Sequence, residues 1–369
     1  MHVGIGLTFQ NPDDVFTDLE VYRKELRIAE KVEDRGFDSV WVPEHHFSGY
    51  NMTPFAPPLL SWVAAKTQSI KLGSFVTVIT WHDPVRVVEN FVLLDYLSEG
   101  RAVLGMGRGL SPDEFTGFRS DMSTSRQRFT DYAKAIVESL ATGYLESDTE
   151  FYQQPRVEIR PAPFKPWKGR TFASGMSPAS FDIMAELGVG VMFAPQKPWP
   201  TMLEELNGYR TRYNEINNEE PPKPIPVVMV GVGDTAEKAE VYRREYLQRY
   251  ARSSVEHYKF QDPSIAEVPG YEYYANLQRN INRHGIDKFN GFLADLNVWG
   301  TPDQVNEQLL EMVDRCDAGG MVLLPVYGGM PEDLANDNFE LLAKEVLPIL
   351  KAKDVGGDLG VTHDSSVHV

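Results

Sequence analysis

The stretch PVRVVENFVLLDYLSEGRAVLGMGRGLSPDEF, residues 84–115, contains one of the units that decide the fold. Residues 84–100 have the pattern of an amphipathic helix, with apolar side chains recurring every three to four positions. The run AVLGMG (102–107) is short, continuous and apolar, as expected for a strand that is buried on both faces of a parallel sheet. An amphipathic helix followed directly by such a strand is typical of α/β proteins.

The same alternation runs along most of the chain. Eight apolar runs, none with the strict apolar–polar alternation of a half-exposed strand, are separated by longer amphipathic segments. The runs are residues 2–9, 38–42, 70–79, 102–107, 170–174, 189–194, 224–232 and 321–326. About eight strand–helix units in one chain predict an α/β fold of the (β/α)8 type, a TIM barrel with insertions.

Two segments interrupt this alternation. Residues 144–166 are predicted to form a hairpin or loop insertion before the fifth strand. Residues 255–296 are rich in aromatic side chains and long for a connection, so we predict a lid or binding loop there. The small, polar and glycine-rich residues 353–369 are expected to be a disordered tail. No internal repeat or linker is visible, and we predict a single barrel domain over residues 1–352.

Composition excludes several classes of protein. The chain has 369 residues, of which 42% are hydrophobic, and this is enough for one large core. Its 36 basic and 53 acidic residues give a formal net charge of −17, which disfavours nucleic acid and anionic membrane as partners. Cys316 is the single cysteine, so an intrachain disulfide and a cysteine-based metal cluster are excluded. Neither a signal peptide nor a membrane-spanning apolar run is visible, and we expect a cytoplasmic enzyme.

Five positions combine a helix-capping residue with a following proline, which suits the first turn of a helix because it lacks the N–H group that would be unpaired there. They are Thr53, Asp83, Ser111, Ser177 and Thr301. Ser111 with Glu114, and Thr301 with Gln304, also have the spacing of capping boxes. We predict a helix start at each of the five positions.

The motif EHHF, residues 44–47, follows the second predicted strand. Because the active site of a (β/α)8 barrel lies at the carboxyl ends of its strands, His45 and His46 are predicted to lie at or beside that face. A metal site needs further ligands, and the end of the first strand, LTFQNPDD (7–14), contains no histidine. Proton transfer or hydrogen bonding to a substrate by one histidine is therefore favoured over a metal site and over a purely structural pair.

Arginine and glycine residues indicate an anion site after the fourth and fifth strands. GMGRGL (105–110) allows a close approach of the backbone to a ligand and adds the Arg108 guanidinium, while Arg126 comes from the next helix. ASGMSP (173–178) offers backbone N–H groups and a helix start. Two guanidinium groups beside a helix amino terminus form a favourable phosphate site.

These stretches, taken in order, resemble one known family. EHHF (44–47), HDPVRVVENFVLLDYLSEGR (82–101), GMGRGL (105–110) and DMSTSR (121–126) are similar to the bacterial luciferase-like flavin-dependent monooxygenases, and most similar to the luciferase α-subunit. The resemblance covers about residues 1–350. It implies a (β/α)8 barrel that takes reduced FMN from a separate NAD(P)H:flavin reductase, reacts it with O2 and oxygenates a small organic substrate through a C4a-hydroperoxyflavin. A carbonyl substrate is favoured, and kinship implies a homodimer.

The resemblance also implies roles for individual residues. It places Arg108 and Arg126 on the FMN phosphate. It adds, near the same cofactor, Leu110, Gly175, Met176 and Ser177. It places a non-proline cis peptide between Phe75 and Val76, behind the isoalloxazine ring, and it makes His45 the histidine on which catalysis depends.

Two further expectations concern the space around the flavin. We predict Phe9, Trp81 and Met106 as apolar walls of the substrate pocket. Gly107 stands where the luciferase α-subunit has a reactive cysteine, and the smaller residue is expected to open space beside the flavin.

Three other functions stay open at this point. A deazaflavin-dependent dehydrogenase shares the barrel but transfers hydride, and the Arg108 and Arg126 pattern favours FMN over it. A metal-dependent hydrolase would use His45 and His46. A non-catalytic flavin-binding subunit is disfavoured by the retention of the EHH motif (44–46).

Overall fold

Each of the eight apolar runs contains a strand in the computed structural model, which describes residues 1–175, 177–272 and 274–356. The strands are β1 (His2–Gly6), β2 (Ser39–Val42), β3 (Lys71–Ser74), β4 (Ala102–Gly107), β5 (Thr171–Ser174), β6 (Gly190–Phe193), β7 (Ile225–Val232) and β8 (Gly320–Leu324). Each pairs in parallel with the next, and β8 pairs with β1, where Ile5 lies opposite Leu323. The sheet is therefore closed, and the predicted (β/α)8 barrel is confirmed.

Helices surround the barrel and carry its connections. Among the described residues they are α1 (Asp18–Ala29), α2 (Ala56–Ala64), α3 (Pro84–Leu97), α4 (Pro112–Gly117), α5 (Ser125–Thr142), α6 (Pro178–Leu187), α7 (Trp199–Asn217), α8 (Ala236–Val241), α9 (Gln248–His257), α10 (Tyr274–His284), α11 (Ile286–Asp295), α12 (Pro302–Cys316), α13 (Glu332–Leu341) and α14 (Leu347–Ala352). None of these helices combines the length and the apolar character needed to cross a membrane.

The interior of the barrel is filled by side chains, and Trp41 of β2 is the largest of them on the strands. Its indole Nε1 donates to Ser39 Oγ over 2.7 Å. A Cβ atom on Gly73 of β3 would come within 2.2 Å of the Trp41 ring, so the neighbouring strand must have glycine there. Because side chains fill the interior of the barrel, we expect a ligand site at the carboxyl ends of the strands.

Both predicted insertions are present, but only one has the predicted form. Residues Tyr144–Asp148 and Gln153–Glu158 pair antiparallel, which confirms the hairpin. Residues 255–296 are not a loop: they contain the end of α9, all of α10 and α11, and a short 3-10 helix. Aromatic and aliphatic side chains of this segment, including Phe260, Tyr271 and Leu293, form a small buried cluster of their own. The helices form because the segment has its own apolar core to cover. Of the predicted tail 353–369, residues 357–369 lie outside the described residues.

Three of the predicted helix starts form as expected, and tertiary contacts alter the other two. Helices begin after Asp83, Ser177 and Thr301 as expected, and the Thr301 N–H donates to Gln304 in the predicted capping box. No helix begins after Thr53: α2 begins at Ala56, because the Thr53 carbonyl accepts the His45 N–H and holds the preceding loop.

The other exception is Ser111, where α4 does begin but no capping box forms. The Ser111 hydroxyl donates instead to the His257 carbonyl over 2.9 Å. The Glu114 carboxylate bonds to the His46 N–H rather than to the backbone of Ser111. Both side chains of the predicted box are thus used in contacts with other parts of the chain.

Candidate active site

A cavity of about 260 Å³ lies at the carboxyl ends of the barrel strands. Its walls include residues that follow six consecutive strands: Gln10, His45, Val76, Arg108, Gly175 and Gln196. The α9–α11 segment covers the remaining side with Tyr258, Tyr274 and Leu293. The cavity is therefore built between the barrel and the helical insertion.

The cavity brings together most of the residues predicted from sequence to hold the cofactor or to act on the substrate. They are His45, Phe75, Val76, Arg108, Leu110, Arg126, Gly175 and Ser177, which all contribute to its walls. Met176 lies outside the described residues. These side chains come from five separate parts of the chain, so their convergence depends on the fold.

The three predicted walls of the substrate pocket, Phe9, Trp81 and Met106, are not walls of this cavity. Phe9 lies between the lining residues Thr8 and Gln10 and points the other way, with its ring centroid 4.6 Å from that of Tyr22. Met106 is fully buried within β4. Trp81 stacks on Phe118 outside the cavity, with ring centroids 5.2 Å apart. The apolar walls include, instead of these, side chains of strands β6 to β8: Met192, Val227, Met229 and Leu324.

Two arginine side chains converge on a single oxygen atom. Both terminal nitrogens of Arg108 lie 3.1 Å from the Gly270 carbonyl oxygen, and Arg126 Nη2 lies 3.0 Å from it. The Arg108 guanidinium also lies over the ring of Tyr271, 3.9 Å from its centroid. Arg126 Nε is buried and has no hydrogen-bond partner among the described residues. The pair therefore has more N–H groups than one neutral carbonyl satisfies, as an anion site requires.

Gly270 is suited to this contact by having no side chain. Its φ angle is +88°, in the left-handed region that glycine adopts without cost. A Cβ atom there would lie 2.9 Å from Arg108 Nη1. The carbonyl can approach both guanidinium groups only because glycine occupies this position.

The amino terminus of α6 faces the same cavity. Ser174, Gly175, Ser177 and Ser180 contribute to the wall, and the Ser177 and Ser180 hydroxyl oxygens lie 3.0 Å apart. Within the described part of the chain, Ser177 makes no side-chain cap to the first turn of α6. The first-turn N–H groups of a ten-residue helix thus lie close to the cavity, and such groups favour anions.

The peptide between Phe75 and Val76 is cis, as predicted. It divides the predicted third strand into β3 and a two-residue strand, Thr77–Val78, that pairs with the end of β4. The expectation that Gly107 opens space is wrong in this structure, because a Cβ atom on Gly107 would lie 2.2 Å from Val76 Cγ2. The small residue allows Val76 to pack against β4, and the space is filled.

His45 forms a cluster with residues that the sequence analysis missed. Its Nδ1 lies 3.2 Å from Glu114 Oε1, and its Nε2 lies 3.2 Å from the Tyr258 hydroxyl. Glu114 Oε1 also accepts the His46 N–H over 2.7 Å. His257 Nε2 approaches the same oxygen to 3.4 Å from the opposite side. Glu114 was visible in the sequence only as a capping residue, and no local pattern indicates His257 or Tyr258.

The charges of this cluster follow from burial and from the two imidazoles. Burial alone would raise the pKa of Glu114, but His45 and His257 outweigh it and lower the pKa to about 2. Burial lowers the pKa of His257, although Glu114 opposes this effect. Burial and the Glu114 charge raise the pKa of the Tyr258 phenol well above 10. The cluster therefore holds an ionised carboxylate and a neutral phenol at physiological pH.

The second histidine of the EHHF motif has different surroundings. His46 Nε2 lies 3.2 Å from Glu44 Oε1, and its ring packs edge-on against Phe118. The buried Glu44 carboxylate also bonds to His82 Nε2 over 2.7 Å and to the Val78 N–H over 3.1 Å. His46 thus belongs to the structure that supports the cavity, while His45 faces the cavity.

The residues that could bind a metal ion in this structure differ from the predicted pair, His45 and His46. His45, Glu114 and His257 offer nitrogen and oxygen atoms that all lie within 4.8 Å of one another. His46, which the metal hypothesis paired with His45, turns its ring towards Glu44. Two imidazoles and one carboxylate are a known metal-binding combination, but the Oε1 atom of Glu114 already accepts a backbone N–H.

Comparison with known proteins gives a consistent result. A family model described as luciferase-like monooxygenase matches residues 1–318. The alkanal monooxygenase alpha chain of Aliivibrio fischeri is 30% identical over 300 residues, which are 78% of this chain and 80% of that protein.

Two solved structures share the fold at lower identity. One is the oxygenating constituent of 3,6-diketocamphane monooxygenase from the CAM plasmid of Pseudomonas putida, in complex with FMN; it is 18% identical with a TM-score of 0.67, and the match covers 94% of this chain and 98% of that one. The other is the coenzyme F420 dependent tetrahydromethanopterin reductase of Methanopyrus kandleri, 16% identical with a TM-score of 0.64, and here the match covers 95% of this chain and 99% of that one.

Proposed function

The chain belongs to the luciferase-like monooxygenase family and is a flavin-dependent monooxygenase, and from this premise we propose that its flavin is reduced FMN. In this proposal a separate NAD(P)H:flavin reductase supplies the reduced FMN, so the enzyme is the oxygenating half of a two-component system. It uses O2 to oxygenate a small organic substrate, with a carbonyl compound favoured.

One observation carries the choice of FMN: the convergence of Arg108 and Arg126 on one oxygen atom beside the cavity. A phosphate group carries more charge and more acceptor oxygens than the Gly270 carbonyl that the two guanidinium groups contact here. The unpaired Nε of Arg126 supports the same reading, because a phosphate would satisfy it. We propose that the FMN phosphate replaces the Gly270 carbonyl on these two side chains.

The remaining cofactor contacts follow from the position of the phosphate. The amino terminus of α6, with Gly175 and Ser177, would add N–H groups to the phosphate site. Leu110, Phe75 and Val76 would contact the ring system further inside the cavity. When bound, reduced flavin supplies the reaction with O2, while the protein orients the reactants and excludes water. Met176 remains part of the proposed phosphate site but lies outside the described residues.

His45 is the proposed proton-transfer residue. It is the imidazole of the EHHF motif that faces the cavity, and its side chain is 17% exposed. Glu114 orients the ring through Nδ1, which leaves Nε2 for the proton that moves during oxygenation. The apolar walls formed by Met192, Val227, Met229 and Leu324 favour a substrate with a hydrocarbon body and a single polar group.

An anaerobic titration tests the cofactor. Reduced FMN, reduced riboflavin and reduced coenzyme F420 are added separately to the purified protein, and binding is followed by fluorescence. We expect FMN to bind more tightly than riboflavin because riboflavin lacks the phosphate. Tight binding of F420 with weak binding of FMN would instead favour the deazaflavin-dependent dehydrogenase, since this chain shares its fold with a coenzyme F420 dependent reductase.

A second experiment tests the reaction. The protein is supplied with NADH, a flavin reductase, FMN and O2, together with a panel of straight-chain aldehydes and cyclic ketones, and both product and H2O2 are measured. Product formed without any further protein chain would exclude a non-catalytic subunit. Peroxide alone with every compound would contradict the proposed carbonyl substrate.

We also propose that the enzyme is a cytoplasmic homodimer. Leu93, Tyr96 and Leu97 have helical spacing on α3 and are 48%, 43% and 58% exposed, so they form a partly exposed apolar stripe. Exposed apolar patches of this kind mark sites of protein association. The cytoplasm is where NAD(P)H and a flavin reductase are available together.

A further inference from the structure

We infer that Tyr258 is a second proton-transfer residue of this enzyme, acting at the end of an array that runs from Glu114 through His45 to the Tyr258 hydroxyl. Tyr258 and His45 are the catalytic residues of the array, and Glu114 is a positioning residue that acts through His45. The inference rests on the proposed function and adds to it a donor that the α9–α11 segment contributes.

The geometry of the array fixes the direction of its hydrogen bonds. Glu114 is an ionised carboxylate and only accepts, so the array fits the imidazole tautomer that has its proton on Nδ1, 3.2 Å from Glu114 Oε1. His45 Nε2 therefore has a free electron pair, and the Tyr258 hydroxyl, 3.2 Å away, donates to it. A buried carboxylate, an imidazole and a hydroxyl in this order have the same arrangement as a hydrolase triad, with a phenol in place of the serine hydroxyl.

The Tyr258 phenol is suited to donate a proton rather than to act as an anion. Burial and the Glu114 carboxylate keep its pKa well above 10, so it is protonated at any pH at which the enzyme works. Its side chain also contributes to the cavity wall, and its hydroxyl lies 3.2 Å from His45 Nε2. Tyr258 therefore touches both the imidazole and the space where oxygen chemistry takes place.

The proposed step conserves atoms and charge. When His45 is an imidazolium ion, its Nε2–H donates to the Tyr258 oxygen, and the Tyr258 O–H points into the cavity. The phenol O–H bond breaks as its proton moves to the negatively charged oxygen of the bound reactant, and the Nε2 proton of His45 moves to the phenol oxygen. The products are a protonated reactant, an intact phenol and a neutral imidazole, and a hydronium ion from solvent returns the Nε2 proton and becomes water before the next turnover.

The groups that face His45 come from three elements. Glu114 approaches from α4, and Tyr50 lies in the loop after β2 with its ring centroid 5.0 Å from that of His45. His257 and Tyr258 lie at the end of α9, and the His257 ring centroid is 4.9 Å from that of His45. His257 is held in turn by Ser48 Oγ, 2.8 Å from its Nδ1, and by stacking on Tyr50. The hydroxyl reaches His45 only because the helical segment covers the cavity.

A double-mutant cycle tests the array. Tyr258→Phe keeps the ring and removes the hydroxyl, and His45→Ala removes the imidazole. The readout is product formed per reduced FMN, with the aldehyde or ketone that the wild-type protein oxygenates fastest. We expect each single variant to lose about a hundredfold, and the double variant to lose no more than the more severe single one, because both groups serve one proton transfer.

Two further measurements separate a chemical from a structural role. Wild-type turnover should be slower in D2O, and Tyr258→Phe should abolish that isotope effect while leaving the Kd for reduced FMN unchanged. Tyr246→Phe is the matched control, because Tyr246 lies in the helical run just before α9 and is not a wall of the cavity. If Tyr258→Phe does not fold, Glu114→Gln replaces it in the double-mutant cycle. The losses of product caused by Glu114→Gln and His45→Ala should then also be non-additive.

Several outcomes would overturn the inference. Full product yield in Tyr258→Phe, or losses that multiply in the double variant, would show that the hydroxyl is not on the path of the proton. A stoichiometric metal ion that is lost in Glu114→Gln would assign His45, Glu114 and His257 to metal binding instead. If the wild-type protein fails to bind reduced FMN, the proposed function falls and the array with it. If the wild-type protein binds reduced FMN and the Tyr258→Phe variant keeps its full product yield, only the proposed array is contradicted.

Discussion

His45 and His46 are neighbours in the chain, yet they face different carboxylates. His45 contacts Glu114 at the edge of the cavity, and His46 contacts Glu44 within the packed wall. The two imidazoles differ because the folded loop brings Glu114 of α4 beside one and Glu44 beside the other. The roles of two adjacent histidines must therefore be assigned separately. Of this pair, only His45 lines the cavity.

The first prediction concerns His45. His45→Ala should leave the binding of FMN nearly unchanged and lower coupled oxygenation by about a hundredfold or more, because it removes general acid–base help. Product and H2O2 are measured for each reduced FMN consumed. The matched control is His284→Ala, which removes an exposed imidazole from the end of α10. Normal product yield in His45→Ala would show that this imidazole has no chemical role.

Arg108 carries the second prediction at this scale. Arg108→Ala should weaken the binding of reduced FMN by roughly 1.5–3 kcal/mol, the range for hydrogen bonds to charged groups. Fluorescence titration measures the Kd of the variant and of the control Arg128→Ala, in which a guanidinium is removed from α5 outside the cavity. An unchanged affinity in Arg108→Ala would mean that the phosphate binds elsewhere.

At the scale of elements, α1 and the end of β1 are joined by a buried carboxylate. Glu25 of α1 accepts the N–H groups of Thr8 and Phe9 over 2.8 and 2.6 Å. Burial raises the pKa of Glu25 to about 7, although Lys24 and the backbone N–H groups oppose the rise. Thr8 and Gln10 line the cavity and Phe9 does not, although the Glu25 carboxylate holds the backbone of this stretch beside it.

The raised pKa of Glu25 makes stability depend on pH. Between the unfolded value of 4.5 and about 7 only the folded state holds the proton, so the free energy of unfolding falls as the pH rises through this range. Relative to Glu25→Gln, the wild-type protein should lose about 3 kcal/mol between acidic and mildly alkaline pH. Urea unfolding of both proteins at a series of pH values measures the difference. Glu138→Gln, on the exposed side of α5, is the control, and parallel pH curves for wild type and Glu25→Gln would contradict the assignment.

The helical insertion α9–α11 is the element that completes the site. The Gly270 carbonyl of this segment accepts hydrogen bonds from the arginine pair, and its Tyr258 hydroxyl contacts His45. The segment therefore contacts both the arginine pair and the histidine. Its helices pack around Phe260, Tyr271 and Leu293, which belong to a buried cluster separate from the barrel core. A cover of this kind excludes water from the reaction, which is the role predicted from sequence for the segment. That role stays a prediction, while its helical form corrects the expected loop.

For the whole molecule, closure of the barrel by the pairing of β8 with β1 places residues from both ends of the chain side by side. We propose that residues 1–352 fold as one domain, since α14 ends at Ala352 and packs on the same core as β1. The apolar stripe on α3 faces outwards from this domain. We propose that a second copy of the chain covers this stripe.

The dimer prediction is tested on that stripe. Leu93→Glu should convert the proposed dimer to a monomer, because a charge would be buried without a partner at the interface. Light scattering after gel filtration measures the mass of the variant and of Ile349→Glu, which changes an exposed apolar residue on α14 instead. A wild-type protein that is already monomeric, or a Leu93→Glu variant that stays dimeric, would contradict the proposed interface.

The sequence by itself determined the barrel, since eight continuous apolar runs need burial on both faces and the intervening helical stripes supply it. The short ordered motifs likewise identified the family and, in advance, eight of the residues that line the cavity. These features are local, because strand burial, proline at a helix start and a glycine-rich strand end each depend on a few neighbouring residues. The cis peptide at Phe75–Val76 was foreseen only through resemblance to the family.

Only the tertiary structure decided which side chains meet. Glu114 has the spacing of a capping residue, but its carboxylate accepts the His46 N–H and lies beside the rings of His45 and His257, which belong to other parts of the chain. Tyr258 is 213 residues away in the sequence from His45, the imidazole that it contacts. No local sequence pattern can indicate a contact over that separation. The physical reason is that the direction of a side chain depends on the burial and hydrogen bonding available to it in the folded chain, and those partners are set by the closure of the barrel and the docking of its helical cover.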